Sequence, residues 1–454
     1  MKKVAIDKKK ALRAGFWVLA AFGFAQILRL VGNLITTRLL EPDMFGIMAL
    51  VYAVLAGLAM LTDAGLWAYI VRNKQGDKPE IYNVAWSVQV ARGFLICGII
   101  LAAVVFVKYY LSEEARELIG IYGSESFLIV VAVIGVGAIL NGFSSMASAI
   151  ESRELRRGKL ELIEVISQFF GVAVMIVWAY LYPSIWALVS ASIVSTVIKL
   201  FLSYALFPYR HKFSFDKRVV NDLYLFSKWI LLASILTYIA QQGDRLFFGV
   251  KVSADVLGVY GIAILFSTTI SLVTHQIVSK VFFPMYSKVQ GDKYGLSRVY
   301  YKSRLVLDSG LYFATAVLFV VASPLIEFLY DERYHQAGDM LRILVLALPG
   351  IALTSAAQEC LTALGKTKVR SVVMFVRMLG LVVMLPIGFH YYSMMGAVVV
   401  VAINPWLGLP VLIYKMIESG VYSWKKEVRA IPIGFVALIF IYLVVTYLPE
   451  IKIS

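Results

Sequence analysis

Apolar runs of membrane-crossing length follow one another from end to end of the chain. They lie near 14–38, 44–71, 84–107, 124–150, 160–182, 184–207, 223–249, 256–282, 304–330, 338–364, 369–389, 393–415 and 431–448. A bilayer takes roughly 20 apolar residues to cross. Backbone groups find no water in lipid, so each run is predicted to be a helix. The first run breaks its own pattern. Gln26, Arg29, Asn33 and Thr37 recur at i, i+3, i+7 and i+11, on one helical face opposite Leu19, Phe22, Ala25 and Leu30. A guanidinium near a bilayer centre costs about 2.5–3.5 kcal/mol on insertion scales. A spanning helix that carries such a stripe is expected to line a wet or polar cavity.

The loops set an orientation. With Lys2, Lys3, Lys8, Lys9, Lys10 and Arg13 in the cytoplasm, alternate loops should be basic. They carry Arg72, Lys74 and Lys78; then Arg153, Arg156, Arg157 and Lys159; then Arg210, His211, Lys212, Lys217 and Arg218. The later ones carry Lys288, Lys293, Arg298, Lys302 and Arg304, then Lys366, Lys368 and Arg370, then Lys415, Lys425, Lys426 and Arg429. The opposite loops, such as 41–43, 113–117 and 331–335, are poor in Lys and Arg. A cytoplasmic N-terminus is the expectation.

Composition agrees with this picture. The 454 residues are 60% hydrophobic and 16% charged, with mean hydropathy +0.81, which no soluble domain of this size shows. The net charge of +15 is carried by the short loops, so it speaks for membrane topology and against nucleic acid as a partner. Cys97 and Cys360 sit in apolar runs and read as small buried hydrophobes. The chain has no Walker-type loop and no CxxC, and its four histidines lack metal-ligand spacing. No cofactor and no ATP-driven pump is expected. The longest loops, near 208–222 and 283–303, are too short for a catalytic domain, so the chain is not expected to be an enzyme.

A weak internal repeat is in register. Glu41-Pro42-Asp43-Met44-Phe45-Gly46-Ile47 is echoed by Ser253-Ala254-Asp255-Val256-Leu257-Gly258-Val259, 212 residues on. Leu155 to Leu160 is echoed by Leu364 to Val369. The expected architecture is an all-α integral membrane protein of two six-helix lobes, 1–213 and 214–420. An additional helix in 421–454 brings the total to roughly thirteen.

The same stretches carry a family likeness. Phe282-Phe283-Pro284-Met285-Tyr286-Ser287-Lys288 resembles the signature that ends the eighth span of bacterial Wzx-type polysaccharide flippases. Phe328-Leu329-Tyr330, Tyr334 through Ala337, Leu341-Arg342-Ile343-Leu344 and Ala363-Leu364-Gly365-Lys366 are similar to that family's ninth-to-tenth span pattern. Asp63-Ala64-Gly65-Leu66 with Ile70-Val71-Arg72 resembles the end of its second span. The family belongs to the superfamily that also holds multidrug-and-toxin extruders and the lipid II flippase. The resemblance implies two lobes around a central cavity and alternating access, in the bacterial inner membrane. The implied cargo is an undecaprenyl-pyrophosphate-linked oligosaccharide for surface polysaccharide. Membrane lipids, a polysaccharide polymerase and a chain-length regulator are the implied partners.

Candidate site residues follow from intramembrane polarity. Arg29, with Gln26 and Asn33, would hold an anionic headgroup or sugar acid. Asp63 is either its ion-pair partner or an ion-coupling site. In the seventh span Ser234, Thr237, Gln241 and Arg245 recur at helical spacing, with Gln242 and Asp244 beside them. His275 shares a face with Thr268, Ser271 and Ser279, and reads either as a titrating group or as hydrogen-bonded packing. Arg92, Lys199, Lys228 and Arg377 lie in the cytoplasmic third of their spans, where they snorkel to headgroups or form a basic vestibule. An ion-coupled organic-cation antiporter on the same fold is the alternative. It would want an acidic cavity, and these charges are mixed to basic.

Overall fold

In a computed structural model, residues 8–62, 65–73, 75–154 and 158–427 are described. Asp63 and the expected span 431–448 lie outside them, as does the side chain of Lys228. Every regular element among the described residues is helical. In order, α1 is Lys8–Thr37, α2 Pro42–Leu61, α3 Leu66–Arg72, α4 Pro79–Tyr110, α5 Glu113–Leu118, α6 Glu125–Gly142, α7 Ala147–Arg153, α8 Gly158–Leu181 and α9 Trp186–Ala205. Then come α10 Lys217–Lys251, α11 Ala254–Ile277, α12 Phe283–Lys288, α13 Lys293–Leu329, α14 Gln336–Leu344, α15 Ala347–Ala363, α16 Lys368–Ile403, α17 Leu409–Glu418 and α18 Trp424–Glu427. Each expected span but the last falls on these helices. Among the described residues, eight helical stretches are long and apolar enough to cross a membrane, or nine with the bent pair formed by α14 and α15. The chain is a multi-pass membrane protein.

It divides into two compact units: 1–235 with 249–255, and 236–248 with 256–454. The division falls inside α10 and not in the basic loop 208–222. The physical reason is that α10 is one unbroken helix of 35 residues. Its early residue Leu223 packs with Leu66, Tyr69 and Ile81 in the first unit, while Ala240 belongs to the core around Tyr286 and Tyr300 in the second.

Within the first unit, helices pack through small residues. A Cβ on Gly93 of α4 would come within 2.6 Å of the Ala138 carbonyl on α6, so these two helices touch backbone to backbone. The large apolar side chains that stay exposed, such as Phe24, Ile27, Leu95 and Phe106, form the lipid-facing sides.

Several runs that read as single spans are broken. α2 gives way to α3, and α6 to α7, where a straight helix was expected across 44–71 and 124–150. A break frees carbonyls that lipid cannot satisfy, and neighbouring side chains take them. Gln89 Nε2 on α4 donates to the carbonyls of Gly142 at 2.9 Å and Ser144 at 3.0 Å. Trp86 Nε1 and Tyr204 Oη both donate to the Phe143 carbonyl. Arg92 donates to the Ala59 carbonyl at 2.6 Å and to Thr62 Oγ1 at 2.9 Å, closing the end of α2. In the second unit Trp406 Nε1 donates to the Leu346 carbonyl at the α14–α15 break, and a π-turn over Val278–Phe282 separates α11 from α12.

α16 is two helices joined by a tight turn at Tyr392 and Ser393. Ser393 has φ 49 and ψ −139, close to the first central position of a type II′ turn, which favours glycine. Ser393→Gly is expected to raise stability by about 1 kcal/mol, read as a higher midpoint in thermal unfolding of the purified protein. The arms of this hairpin cross at Gly388 and Gly396, where any Cβ would strike the opposite backbone.

Candidate functional site

The first unit holds an open cleft of about 480 Å³ lined by α2, α4, α6 and α9. Its wall is mostly Ala, Gly and Ile, set with the polar side chains of Tyr52, Gln89, Arg92, Asn141, Ser192 and Thr196. No carboxylate is among these described lining residues. The helix breaks place them there. Gln89 and Arg92 reach across from α4 to close the ends of α6 and α2, and in doing so turn a hydrogen-bonding edge to the void. The cavity is larger than a single sugar ring and offers both donors and acceptors, with aliphatic surface for a ring face.

Sequence reasoning located Arg92 but read it as snorkelling to headgroups or as part of an inner basic vestibule. Tyr52, Gln89, Asn141, Ser192 and Thr196 escaped it. Each is an ordinary polar residue in an apolar run, and only their convergence from four helices marks them.

Arg29 is exposed, with Gln26 and Asn33 half-buried beside it. α1 packs on α8 one turn away, where Gly32 meets Val172 and Met175. The Arg29 guanidinium is close enough to Tyr52 to act on its hydroxyl electrostatically. The stripe on α1 therefore faces the neighbourhood of the cavity without lining it. Lys199 is drawn into an ion pair with Glu164 between α9 and α8.

In the second unit, Asp244 is 4% exposed and accepts a hydrogen bond from the buried Tyr260 hydroxyl. Arg245 donates to Gln242 one turn back, and Gln241 is exposed. Asp244 and Arg245 thus hydrogen-bond to different partners. His275 is exposed, with Arg370 and Glu359 as its charged neighbours. Arg377 donates through Nε to Asn404 Oδ1 at 2.9 Å, while Asn404 Nδ2 donates back to the Arg377 carbonyl. It ties α16 to the turn before α17. The four inner basic residues thus include two in defined structural contacts, Lys199 and Arg377, and one at a helix break, Arg92.

Beside the α6–α7 break the structure shows a histidine that sequence reasoning passed over as part of a basic loop. His211 stacks on Trp86 at 5.5 Å and meets Tyr82 and Tyr204 edge-on. Its Nε2 accepts from the Met146 amide at 3.3 Å and sits 2.9 Å from Ser145 Oγ, so the neutral ring carries its proton on the buried Nδ1. Burial pulls its pKa down to about 4 from 6.5. Between those values the unfolded chain binds more protons than the folded one, so stability falls as pH drops and is fully present above 6.5. Such a depression corresponds to about 3 kcal/mol for a fully buried ring, and about half that for one partly open to solvent. Melting points measured from pH 7 to 4 should fall in the wild type. In His211→Phe that slope should vanish from a lower starting value, because the Met146 amide loses its acceptor.

The chain matches the family described as polysaccharide biosynthesis protein over residues 35–339. It is 21% identical over 339 residues to the lipopolysaccharide biosynthesis protein WzxC of Escherichia coli (strain K12), covering 74% of this chain and 66% of that one. It is 24% identical over 313 residues to the succinoglycan biosynthesis transport protein ExoT of Rhizobium meliloti (strain 1021), covering 69% and 61%. The chain thus spans less than two thirds of the length of these curated relatives. Among solved structures, the lipid II flippase MurJ in an inward closed conformation superposes with a TM-score of 0.71 at 14% identity, covering 95% of this chain and 92% of that one. An inward-facing multidrug resistance transporter of the MATE family gives 0.66 at 16% identity, covering 88% and 98%. The fold is shared with both.

Proposed function

Because the chain belongs to the polysaccharide biosynthesis protein family, in its Wzx-type branch, we propose that it flips a lipid-linked oligosaccharide across the bacterial inner membrane. The cargo we assign is an undecaprenyl-pyrophosphate-linked repeat unit, moved from the cytoplasmic to the periplasmic leaflet by alternating access. The N-terminus is then cytoplasmic, as the loop charges require. The observation that carries the reading is the cavity of the first unit. It is walled by transmembrane helices and edged with neutral hydrogen-bonding groups and one guanidinium. Neutral hydroxyl and amide groups suit a glycan. In this reading Arg29 of the first unit meets the anionic pyrophosphate or sugar acids, and Gln241, Arg245 and His275 are the second unit's candidates for contact with the cargo. The lipid tail stays in the bilayer. A polymerase and a chain-length regulator are the natural recipients of the flipped unit.

The likeness to a multidrug transporter favours organic-cation antiport as a second reading. The described cavity lining offers no carboxylate for a cation, which weighs against it. The test is transport by the purified chain in proteoliposomes. Labelled undecaprenyl-pyrophosphate oligosaccharide should become accessible on the opposite leaflet. Exchange of an organic cation with no lipid flipping would replace this function with the second one.

A further inference from the structure

The second unit buries a charged cluster that the transport reading does not use. Arg304 on α13 is 4% exposed and lies between two carboxylates. Its Nε and Nη2 both donate to Oδ2 of Asp308, at 3.1 and 2.9 Å, and its Nη1 donates to Oε1 of Glu427 at 2.6 Å. Both donors fall on one Asp308 oxygen. The other, Oδ1, is buried without any hydrogen-bond partner, in a residue 1% exposed. Glu427 comes from α18, 123 residues further along the chain. The segment Val421–Glu427 is fastened to α13 by further bonds. Tyr301 Oη donates to Glu427 Oε1 and accepts from the Ser423 amide; Ser297 Oγ donates to the Val421 carbonyl; Lys426 Nζ donates to Ser297 Oγ.

The remaining groups around the cluster do not balance its charge. Tyr286, Tyr300 and Tyr312 are neutral phenols and Cys360 a neutral thiol; Lys426 lies against the rings of Tyr294 and Tyr301. One guanidinium thus serves two buried carboxylates, and one carboxylate oxygen is left bare. An unpaired buried charge is costly, and neutralising it is the usual remedy.

We propose that Asp308 is a proton-binding site whose occupancy sets how tightly the segment Val421–Glu427 is clasped to α13. With the proton on Oδ1, Arg304 is left to Glu427 and the clasp is closed. When the proton leaves, the two carboxylates compete for one guanidinium. Glu427 is the more exposed partner, at 20% against 1%, and is the one that releases. The clasp therefore loosens as pH rises. This inference rests on the geometry of the second unit and does not depend on the cargo.

Val421 is 1% exposed under the clasp, so Val421→Cys reports its opening. The full-length protein carrying it is labelled with a maleimide from pH 6 to 9, and the label is located by peptide mass. Rates are divided by those of a short peptide of the same sequence, which removes the effect of thiol ionisation. The corrected rate should rise with pH, by up to tenfold per pH unit where the single coupled proton titrates. In Asp308→Asn it should stay low and flat. In Glu427→Gln, on the more exposed side, it should be high and flat. A corrected rate that does not change with pH in the otherwise wild-type protein overturns the proposal, and so does an unchanged pH profile in either variant. A rate that responds to sodium at fixed pH, but not to pH itself, assigns the bare oxygen to an alkali cation and overturns the proton.

Discussion

Arg304→Ala is expected to lower the stability of the folded protein by about 3–5 kcal/mol, the cost of stranding buried carboxylates without their cation. Asp308 would keep its buried position but lose both donors, and Glu427 would lose its closest partner. The measurement is the midpoint of thermal or denaturant unfolding in detergent. A matched control separates stranding from lost attraction. In Arg304→Met combined with Asp308→Leu and Glu427→Met, no buried charge is left in the triad, and stability should return to within about 1–2 kcal/mol of wild type. If the triple variant is as unstable as the single one, the cluster contributes through its attraction and not through the penalty of breaking it. The expectation is firm because the site is crowded. Asp308 is only 1% exposed, and Arg304 also lies over the rings of Tyr300 and Tyr301, so the carboxylate stranded by its loss is chiefly that of Asp308.

Arg29→Ala is expected to slow flipping in proteoliposomes roughly 10–100-fold while the protein folds normally. The size follows from losing one hydrogen-bonded charge contact to an anionic cargo, about 1.5–3 kcal/mol. Normal folding follows from the packing. Arg29 is exposed, and α1 is held on α8 by Gly32 and the carbonyl of Ala25, which accepts from Gln168 Nε2 at 3.1 Å. Arg29→Lys should recover part of the rate, since a point charge still attracts phosphate but lacks the planar fork. Full activity in Arg29→Ala would remove Arg29 from the cargo path and leave the cavity of the first unit as the part that handles the glycan.

Among the described residues, the helical runs and their order were legible in the sequence, and so was the family. Membrane spans are local: each needs only its own run of apolar residues and the absence of water. The motif Phe282-Phe283-Pro284-Met285-Tyr286-Ser287-Lys288 is a contiguous string, so no fold is needed to read it. Arg29 was legible for the same reason, as a cation inside an apolar run.

Three features depended on tertiary structure. The breaks after Leu61 and Gly142 are stable because side chains of another helix, Arg92 and Gln89, accept the burden of the freed carbonyls. Nothing within either broken run announces that. The cavity of the first unit likewise gathers Tyr52, Arg92, Asn141 and Ser192 from four separate helices. Arg304 is the plainest case. Its place among the basic residues of a loop fits the topological charge rule, yet in the fold it is buried between Asp308, one turn away, and Glu427, which only the packing of the chain brings within reach. Hydropathy and charge alternation act on each segment alone and so can be read from the sequence. Which polar groups satisfy one another across helices is a property of packed pairs distant in the chain, and only the assembled fold decides it.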